Sequence, residues 1–196
     1  MIDPYDYENR TGVLPVSWEM FHGLCKGLSQ TAAAFDPDII LPILRGGIFP
    51  GTQIGFLLQA EVHPIRLTRR EHDEPVFDKP RWFIEPPEFI KGLRVLIVDE
   101  ISSTGETLAL ARKKALSLGA ASVMCAVLYA HARGSVEPDL IGLISDDLIL
   151  NPWDREIFRK DSFIPHPEYV DALSSQKEQE AGSLMSCPAP IFPVKS

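Results

Sequence analysis

Blocks of apolar residues along the chain predict strands and helices in alternation. In residues 16–35 the apolar side chains recur at helical spacing, and Ser17 stands where a helix N-cap is expected. A short, almost continuously apolar run follows at residues 39–44, which is typical of a strand buried on both faces. Residues 48–58 are predicted to form the next helix.

The second half of the chain continues this alternation. Residues 94–98 form the clearest buried strand, and a helix is predicted from residue 105 to 118, where Gly119 ends it. Further apolar strands are predicted at residues 62–67, 122–129, 140–144 and 148–150. Strands that alternate with helices indicate an α/β fold with a mainly parallel sheet flanked by helices.

Two segments depart from this pattern. Residues 69–87 are rich in charge, proline and aromatic side chains with little periodicity, which predicts a mobile loop or small flap at about 69–90. Residues 174–196 are polar and then proline-rich, so they are interpreted as a flexible tail. The rest, residues 1–173, is predicted to be a single domain with its core at about 36–160.

Composition narrows the class of protein. The 196 residues are 45% hydrophobic and carry a formal net charge of −8, which argues against general binding of nucleic acid. Three scattered cysteines predict neither a disulfide framework nor a structural zinc site. Without a signal peptide or a membrane-spanning run, the expected location is cytoplasmic, with no membrane partner.

The segment that carries the chemistry is residues 95–108. A buried strand delivers Asp99 and Glu100 at its carboxyl end, where α/β proteins bind ligands, and a Ser/Thr/Gly turn leads into a helix. The turn and the helix N-terminus suit a phosphate, whereas the acids suit hydroxyl groups or Mg²⁺. Together they indicate a ribose 5-phosphate. The alternative is that Ser103 and Glu106 form a capping box and the acids merely end the strand.

This segment resembles the motif that binds phosphoribosyl pyrophosphate (PRPP) in type I phosphoribosyltransferases. The resemblance implies the fold of that family, with a small hood formed by the terminal segments. It implies that Asp99 and Glu100 hold the ribose hydroxyls and Mg²⁺ and are catalytic together with Ser103. It also implies a 5-phosphate site formed by Ser102, Ser103, Thr104, Gly105 and Thr107.

A second match lies at residues 38–51. It resembles the pyrophosphate loop of the family, especially the Arg-Gly-Gly-x-x-Pro version in xanthine–guanine enzymes. Arg45 and Gly46 are therefore expected to bind the pyrophosphate, through charge-assisted hydrogen bonds and close backbone approach. The resemblance further implies a non-proline cis peptide beside Arg45.

A third match covers residues 138–142 and 147–154, which resemble the base-binding end of 6-oxopurine phosphoribosyltransferases. In that family one residue stacks on the purine, the next offers backbone groups to its edge, and a following Asp binds metal. Carried over, these residues are Leu148, Ile149 and Asp154.

The resemblance also implies a pyrophosphate contact from Arg159, while Trp153 is equally consistent with a core aromatic. Three positions depart from the family pattern. Ser103 replaces the usual Asp, and Leu148 replaces a common aromatic residue. His131 stands near the lysine that usually donates to the purine O6, and a neutral His can still donate one hydrogen bond.

The resulting hypothesis is an Mg²⁺-dependent transfer of 5-phosphoribosyl from PRPP to a nucleobase, with release of pyrophosphate. A 6-oxopurine in purine salvage is the expected acceptor. The alternatives are a phosphoribosyltransferase for a non-purine acceptor and a non-catalytic regulator that binds PRPP. Relatives are usually oligomers, which implies a homodimer or homotetramer.

Overall fold

The computed structural model describes residues 10, 12–71, 74–167, 169 and 170, so the predicted tail at 174–196 lies outside the described residues. None of the helices in this described part is long and apolar enough to cross a membrane. In chain order the elements are β1 (Val13–Pro15), α1 (Trp18–Ala32), β2 (Ile39–Pro42), α2 (Ile48–Leu58), β3 (Glu61–Val62), β4 (Arg66–Thr68), β5 (Arg70–Glu71), β6 (Glu74–Pro75), β7 (Arg81–Ile84), β8 (Arg94–Ser102), α3 (Glu106–Ser117), β9 (Ser122–Ala130), β10 (Leu140–Ile144), β11 (Leu148–Leu150), β12 (Glu156–Arg159) and β13 (Ser162–Pro165).

Residues 22–145 form the larger of two compact units, which is built on a five-stranded sheet. The strand order is β10-β9-β8-β2-β3, and each neighbouring pair is parallel. The middle strand, β8, is fully buried from Val95 to Val98, as its continuous apolar run predicts. The predicted α/β fold with a mainly parallel sheet is therefore confirmed.

One part of the core of this unit lies between the sheet and α3. Leu108, Ala111 and Ala115 form the buried stripe of α3 and belong to one cluster with residues of β2, β8 and β9. Their spacing of three and four residues is the helical period that the sequence predicts. Burying a Leu of this kind contributes about 1.5–3 kcal/mol, so this stripe determines which face of α3 packs against the sheet.

The segment predicted to be irregular forms an antiparallel structure, here called the ribbon (residues 66–71 and 74–84). β4 pairs with β7, and β5 pairs with β6. Strands this short give no detectable alternation in the sequence, which explains why they were not predicted. Cation–π contacts support the ribbon: Arg81 lies 4.3 Å from the ring centre of Phe77, and Arg66 lies 5.2 Å from that of Phe83.

The described residues before 22 and after 145 form the second unit. β1 pairs in parallel with β11, and β12 pairs with β13 as a hairpin. Both terminal segments thus contribute to one small unit, as the resemblance implies for the hood. The Trp153 ring lies 5.3 Å from Phe21 and 6.1 Å from Trp18, so Trp153 is a structural aromatic of this unit.

Candidate active site at the carboxyl edge of the sheet

Three loops of the larger unit meet at one edge of the sheet. Because β2, β8 and β9 run parallel, the segments that follow them lie side by side. These segments are the β2–α2 loop (residues 43–47), the β8–α3 turn (residues 103–105) and the loop after β9 (residues 131–139). They contain Arg45, Gly46, Ser103, Thr104, Gly105 and His131, all of which are predicted site residues.

The β2–α2 loop is held against β8 by backbone contacts. The Ile43 amide donates to the Val98 carbonyl at 2.8 Å, and the peptide bond between Leu44 and Arg45 is cis, as the resemblance implies. A Cβ atom on Gly46 would overlap the carboxylate of Glu100. Glycine therefore lets this loop lie against the Glu100 side chain without displacing it, and the structure brings two of the predicted binding segments into contact.

The carboxyl group of Asp99 lies in surroundings that disfavour its charged form. An Asp99 carboxylate oxygen accepts a hydrogen bond from the Glu100 amide at 2.8 Å. Although Asp99 keeps some surface exposure, the protein around its carboxyl group raises its pKa from 3.8 to about 7, and the amide hydrogen bond only partly offsets that rise. A carboxylate that is costly to ionise gains strongly from a nearby cation or hydroxyl donor.

The β8–α3 turn presents a helix N-terminus to the same edge. The N-cap of α3 is Gly105, with a φ of 83°, and it has no side chain to cap the helix. The Glu106 carboxylate instead pairs with Arg69. The capping-box alternative for Ser103 and Glu106 is therefore wrong, and the helix N-terminus retains its capacity for an anion.

Ser102 links the turn to the loop after β9. Its buried hydroxyl donates to the Gly134 carbonyl at 2.7 Å, and its own carbonyl accepts from the His131 amide at 3.1 Å. A Cβ atom on Gly134 would overlap the Ser102 carbonyl oxygen. The Ser102 hydroxyl and Gly134 thus support the shape of the turn. The sequence did not indicate this role for Ser102 or for Gly134.

His131 is buried with a defined proton position. Its Nδ1 lies 2.7 Å from the Ser145 carbonyl oxygen, and because a carbonyl can only accept, Nδ1 carries a hydrogen. In the neutral imidazole the other nitrogen, Nε2, is then an acceptor. The contact of His131 with the base stays a prediction, and in the neutral form the N–H at Nδ1 is directed to Ser145.

Arg112 on α3 anchors the loop after β9 and was missed by sequence reasoning. Its guanidinium donates to Glu137 at 3.0 Å and to Asp139 at 2.8 Å, and Asp139 also accepts from the Cys125 amide at 2.7 Å. These partners lie far apart in sequence, so no local pattern reveals them. These hydrogen bonds connect α3, which begins at the β8–α3 turn, to the loop after β9, which supports that turn.

The remaining predicted residues belong to the smaller unit. Leu148 and Ile149 are almost fully buried in β11. Asp154 accepts a hydrogen bond from the Tyr169 hydroxyl at 2.9 Å, and Arg159 lies exposed at the end of β12. Local contacts within this unit therefore define the environment of each of these residues.

The acid pair fits Mg²⁺ held jointly with a ligand. Among the residues that the structure describes, no three His, Cys, Asp or Glu side chains group closely enough to form a metal site by themselves. Mg²⁺ usually binds through one or two carboxylates, with substrate phosphates and water completing the octahedron. Asp99 and Glu100, beside the β2–α2 loop, are a donor set of that kind.

Comparison with known proteins gives one family match. Residues 21–157 match the model of the family described as "Phosphoribosyl transferase domain". No curated protein sequence matches the chain.

Several solved structures are similar. The purine phosphoribosyltransferase of Pyrococcus horikoshii has 25% identity and a TM-score of 0.66, over 78% of this chain and 100% of that one. The xanthine–guanine–hypoxanthine phosphoribosyltransferase of Helicobacter pylori has 19% identity and a TM-score of 0.61, over 72% and 91%. The adenine phosphoribosyltransferase of Thermoanaerobacter pseudethanolicus has 21% identity and a TM-score of 0.51, over 68% and 80%. The last two likenesses concern the fold alone.

Proposed function

The chain belongs to the phosphoribosyltransferase family, and from this premise we propose that it transfers the 5-phosphoribosyl group of PRPP to a purine, with a 6-oxopurine as the first candidate. The transfer depends on Mg²⁺ and releases pyrophosphate. The observation that carries the proposal is the contact of Gly46 with the Glu100 carboxylate. This contact brings the β2–α2 loop, which contains Arg45, to Asp99 and Glu100. Likeness to an archaeal purine phosphoribosyltransferase over that protein's whole length supports a purine acceptor.

The roles follow the chemistry of PRPP from one end to the other. Arg45 and Gly46 bind the pyrophosphate, and Asp99 and Glu100 hold the ribose hydroxyls and the metal. The 5-phosphate lies at the N-terminus of α3, where backbone amides and the helix dipole favour an anion. Its ligands are Ser103, Thr104, Gly105 and Thr107, with Ser102 supporting the turn through Gly134.

In the reaction, a ring nitrogen of the base attacks C1 of the ribose while the bond from C1 to the pyrophosphate breaks, and the N–H proton that the base loses passes to the released pyrophosphate. Asp99 and Glu100 stabilise the positive charge that develops on the sugar, and Arg45 stabilises the leaving group. When bound, Mg²⁺ supplies further positive charge at the pyrophosphate. Ser103 can hydrogen-bond to the base but cannot accept its proton as a carboxylate would. The ribbon acts as the lid that excludes water.

Ser103 favours a second candidate acceptor. It stands where enzymes for 6-oxopurines usually carry an Asp, and phosphoribosyltransferases for adenine also lack an acid at that position. The similar Pyrococcus horikoshii protein is named a purine phosphoribosyltransferase without a choice among purines, so a 6-aminopurine is the second candidate.

The decisive experiment measures pyrophosphate release from PRPP and Mg²⁺ with hypoxanthine, guanine, xanthine, adenine, orotate and uracil in turn. The control is the Asp99→Asn/Glu100→Gln variant, which should lose the signal. Release with a 6-oxopurine alone supports the first candidate, and release with adenine alone supports the second. Release with only orotate or uracil, or with no base despite Mg²⁺-dependent PRPP binding, would contradict both.

The proposal includes a homodimer or homotetramer in the cytoplasm. An exposed apolar group on α2 supports an assembly, since Phe56 is 79% exposed, with Phe49 and Leu57 beside it on the same helix. Sedimentation of the purified protein tests this, and Phe56→Ser should shift the equilibrium toward the monomer.

A further inference from the structure

An acidic residue directly follows the turn of the proposed phosphate site. Glu106 is the first residue of α3, directly after Gly105 in the β8–α3 turn, and its amide lies 3.4 Å from the Thr104 hydroxyl. An acid is favourable at a helix N-terminus when the site is empty, because it interacts with the helix dipole. In a turn that binds a phosphate, however, the same carboxylate repels the ligand.

In the structure this carboxylate is paired with a cation from another element. The Arg69 guanidinium donates to Glu106, and the two side chains are only 20% and 36% exposed. Partial burial reduces screening by water, so the pairing offsets the charge of Glu106 more effectively than a surface ion pair would. Arg69 therefore partly offsets the charge of Glu106.

Arg69 also closes the inner hairpin of the ribbon. It lies between β4 and β5, and its carbonyl accepts hydrogen bonds from the amides of Val76 at 2.9 Å and Phe77 at 3.0 Å. A residue held in this way by its backbone transmits the position of its side chain to the hairpin. The contact with Glu106 thus links the ribbon to the β8–α3 turn.

The same stretch of chain is tied to the β2–α2 loop at its other end. Ile65 donates to the Pro42 carbonyl at 3.0 Å and accepts from the Leu44 amide at 2.8 Å. Between the two ends, Leu67 is buried in the core. Residues 65–69, here called the strap, therefore run from the β2–α2 loop to the β8–α3 turn.

We propose that Arg69 and Glu106 are a positioning pair for PRPP. Arg69 neutralises the Glu106 carboxylate beside the β8–α3 turn, and the pair fixes the ribbon to that turn through the strap. This inference rests on the proposed function of the site. In this proposal Arg69 acts on PRPP binding indirectly, through Glu106. It also explains how Glu106 is accommodated beside the β8–α3 turn, which we propose to bind the 5-phosphate of PRPP.

A double-mutant cycle tests the neutralisation. We expect Arg69→Ala to raise the KM for PRPP about tenfold and to change kcat less than about twofold, because Glu106 becomes uncompensated. Glu106→Gln alone should stay within about threefold of the wild type, and Arg69→Ala/Glu106→Gln should recover to within about threefold. The matched control is Arg81→Ala, which removes the same charge from the ribbon without touching Glu106 and should leave the KM unchanged.

Three results would overturn the neutralisation. These are a double variant as weak as Arg69→Ala, a control as weak as Arg69→Ala, or an Arg69→Ala variant that behaves as the wild type. Failure of the wild-type protein to bind PRPP with Mg²⁺ would instead overturn the proposed function, and with it the neutralisation.

Hydrogen exchange tests the link to the ribbon without any ligand. Glu106→Gln lies outside the ribbon, so faster exchange of the Val76 and Phe77 amides in this variant would support the link. Unchanged exchange at both amides would overturn it, whether or not the protein binds PRPP.

Discussion

The carboxyl edge of the sheet and the ribbon are held together by different kinds of contact. At the edge, Gly46 and Gly134 allow backbone and acid to meet with no room for a Cβ atom. In the ribbon, Arg66 and Arg81 lie over aromatic rings, and Phe83 is 48% exposed. The edge thus depends on close backbone packing, whereas the ribbon depends on side chains that water partly reaches.

This difference corresponds to two requirements of group transfer. Groups that stabilise developing charge must be positioned before the substrate binds, which favours dense packing. A lid must open and close, which favours contacts of small individual free energy. We therefore expect substitutions at the edge to affect catalysis strongly. Substitutions in the ribbon should have small effects, except at Arg69, which contacts Glu106 outside the ribbon.

The largest effect is expected from Gly46→Ala. The new methyl group displaces the Glu100 side chain, so kcat/KM for PRPP should fall about 100-fold or more, equivalent to about 3 kcal/mol. Steady-state kinetics measures the loss, and thermal unfolding verifies that the variant folds. Gly23→Ala is the matched control because a Cβ atom there meets nothing within 4 Å. It should leave activity unchanged, and equal losses in both variants would contradict the role of Gly46.

Asp99→Asn should stabilise the ligand-free protein while abolishing activity. Between pH 3.8 and about 7 the folded state retains a proton on Asp99 that the unfolded chain releases, since burial raises its pKa. Stability therefore decreases as the pH rises through this window, and the full penalty is present above it. At pH 8 the substitution should add on the order of 2 kcal/mol to the free energy of unfolding, and the gain should shrink toward pH 5. Urea unfolding at both pH values measures it.

Asp38→Asn provides the control of opposite sign. Hydrogen bonds from Arg94 lower the pKa of Asp38 to about 2, so this carboxylate stabilises the fold above pH 3.8 and loses that effect as the pH falls toward 2. Its removal should lower stability equally at pH 5 and pH 8. A gain for Asp99→Asn that does not change between these pH values would contradict a raised pKa for Asp99.

A smaller effect is expected from Arg112→Leu, which sharpens the comparison within the edge itself. The change leaves Glu137 and Asp139 without their cation, so the free energy of unfolding should fall by about 1–2 kcal/mol. Chemical denaturation measures it. Arg112→Lys retains the charge but not the planar fork, and should lose less. A Lys variant as unstable as the Leu variant would show that the bidentate geometry, rather than the charge, carries the effect.

The smallest effect is expected in the ribbon, from Arg81→Ala. Losing one exposed contact with Phe77 should cost about 0.5–1 kcal/mol or less, with kcat/KM within about twofold of the wild type. Steady-state kinetics and thermal unfolding on the same preparation measure both quantities. A loss comparable to that of Gly46→Ala would remove the distinction between the two regions.

The sequence predicted the sheet and the edge because their signals are local. The apolar run of β8, the two acids and the turn before α3 are contiguous, so one segment specifies the strand, its ligand-binding end and the helix start. The cis peptide at Arg45 was likewise implied by a local motif. The match of residues 21–157 to a single family agrees with this interpretation.

The strands of the ribbon were not predicted because they are too short to show alternation, and the support of the turn was not predicted because its contacts join residues remote in sequence. Arg69 and Glu106 are paired across 37 positions, and Arg112 and Asp139 across 27. The proton position of His131 likewise depends on Ser145, a residue of another loop. No periodicity or motif encodes such pairs.

The sequence by itself thus determined the fold class and the family, and it predicts the segments that bind PRPP, since periodic burial and short motifs act within one segment. Only the tertiary structure decided which groups remain available for chemistry. It commits the Nδ1 proton of His131 to Ser145, the Ser102 hydroxyl to Gly134, and the charge of Glu106 to Arg69. The physical reason is that hydrogen bonds and ion pairs depend on atomic distances, which exist only once the chain has folded.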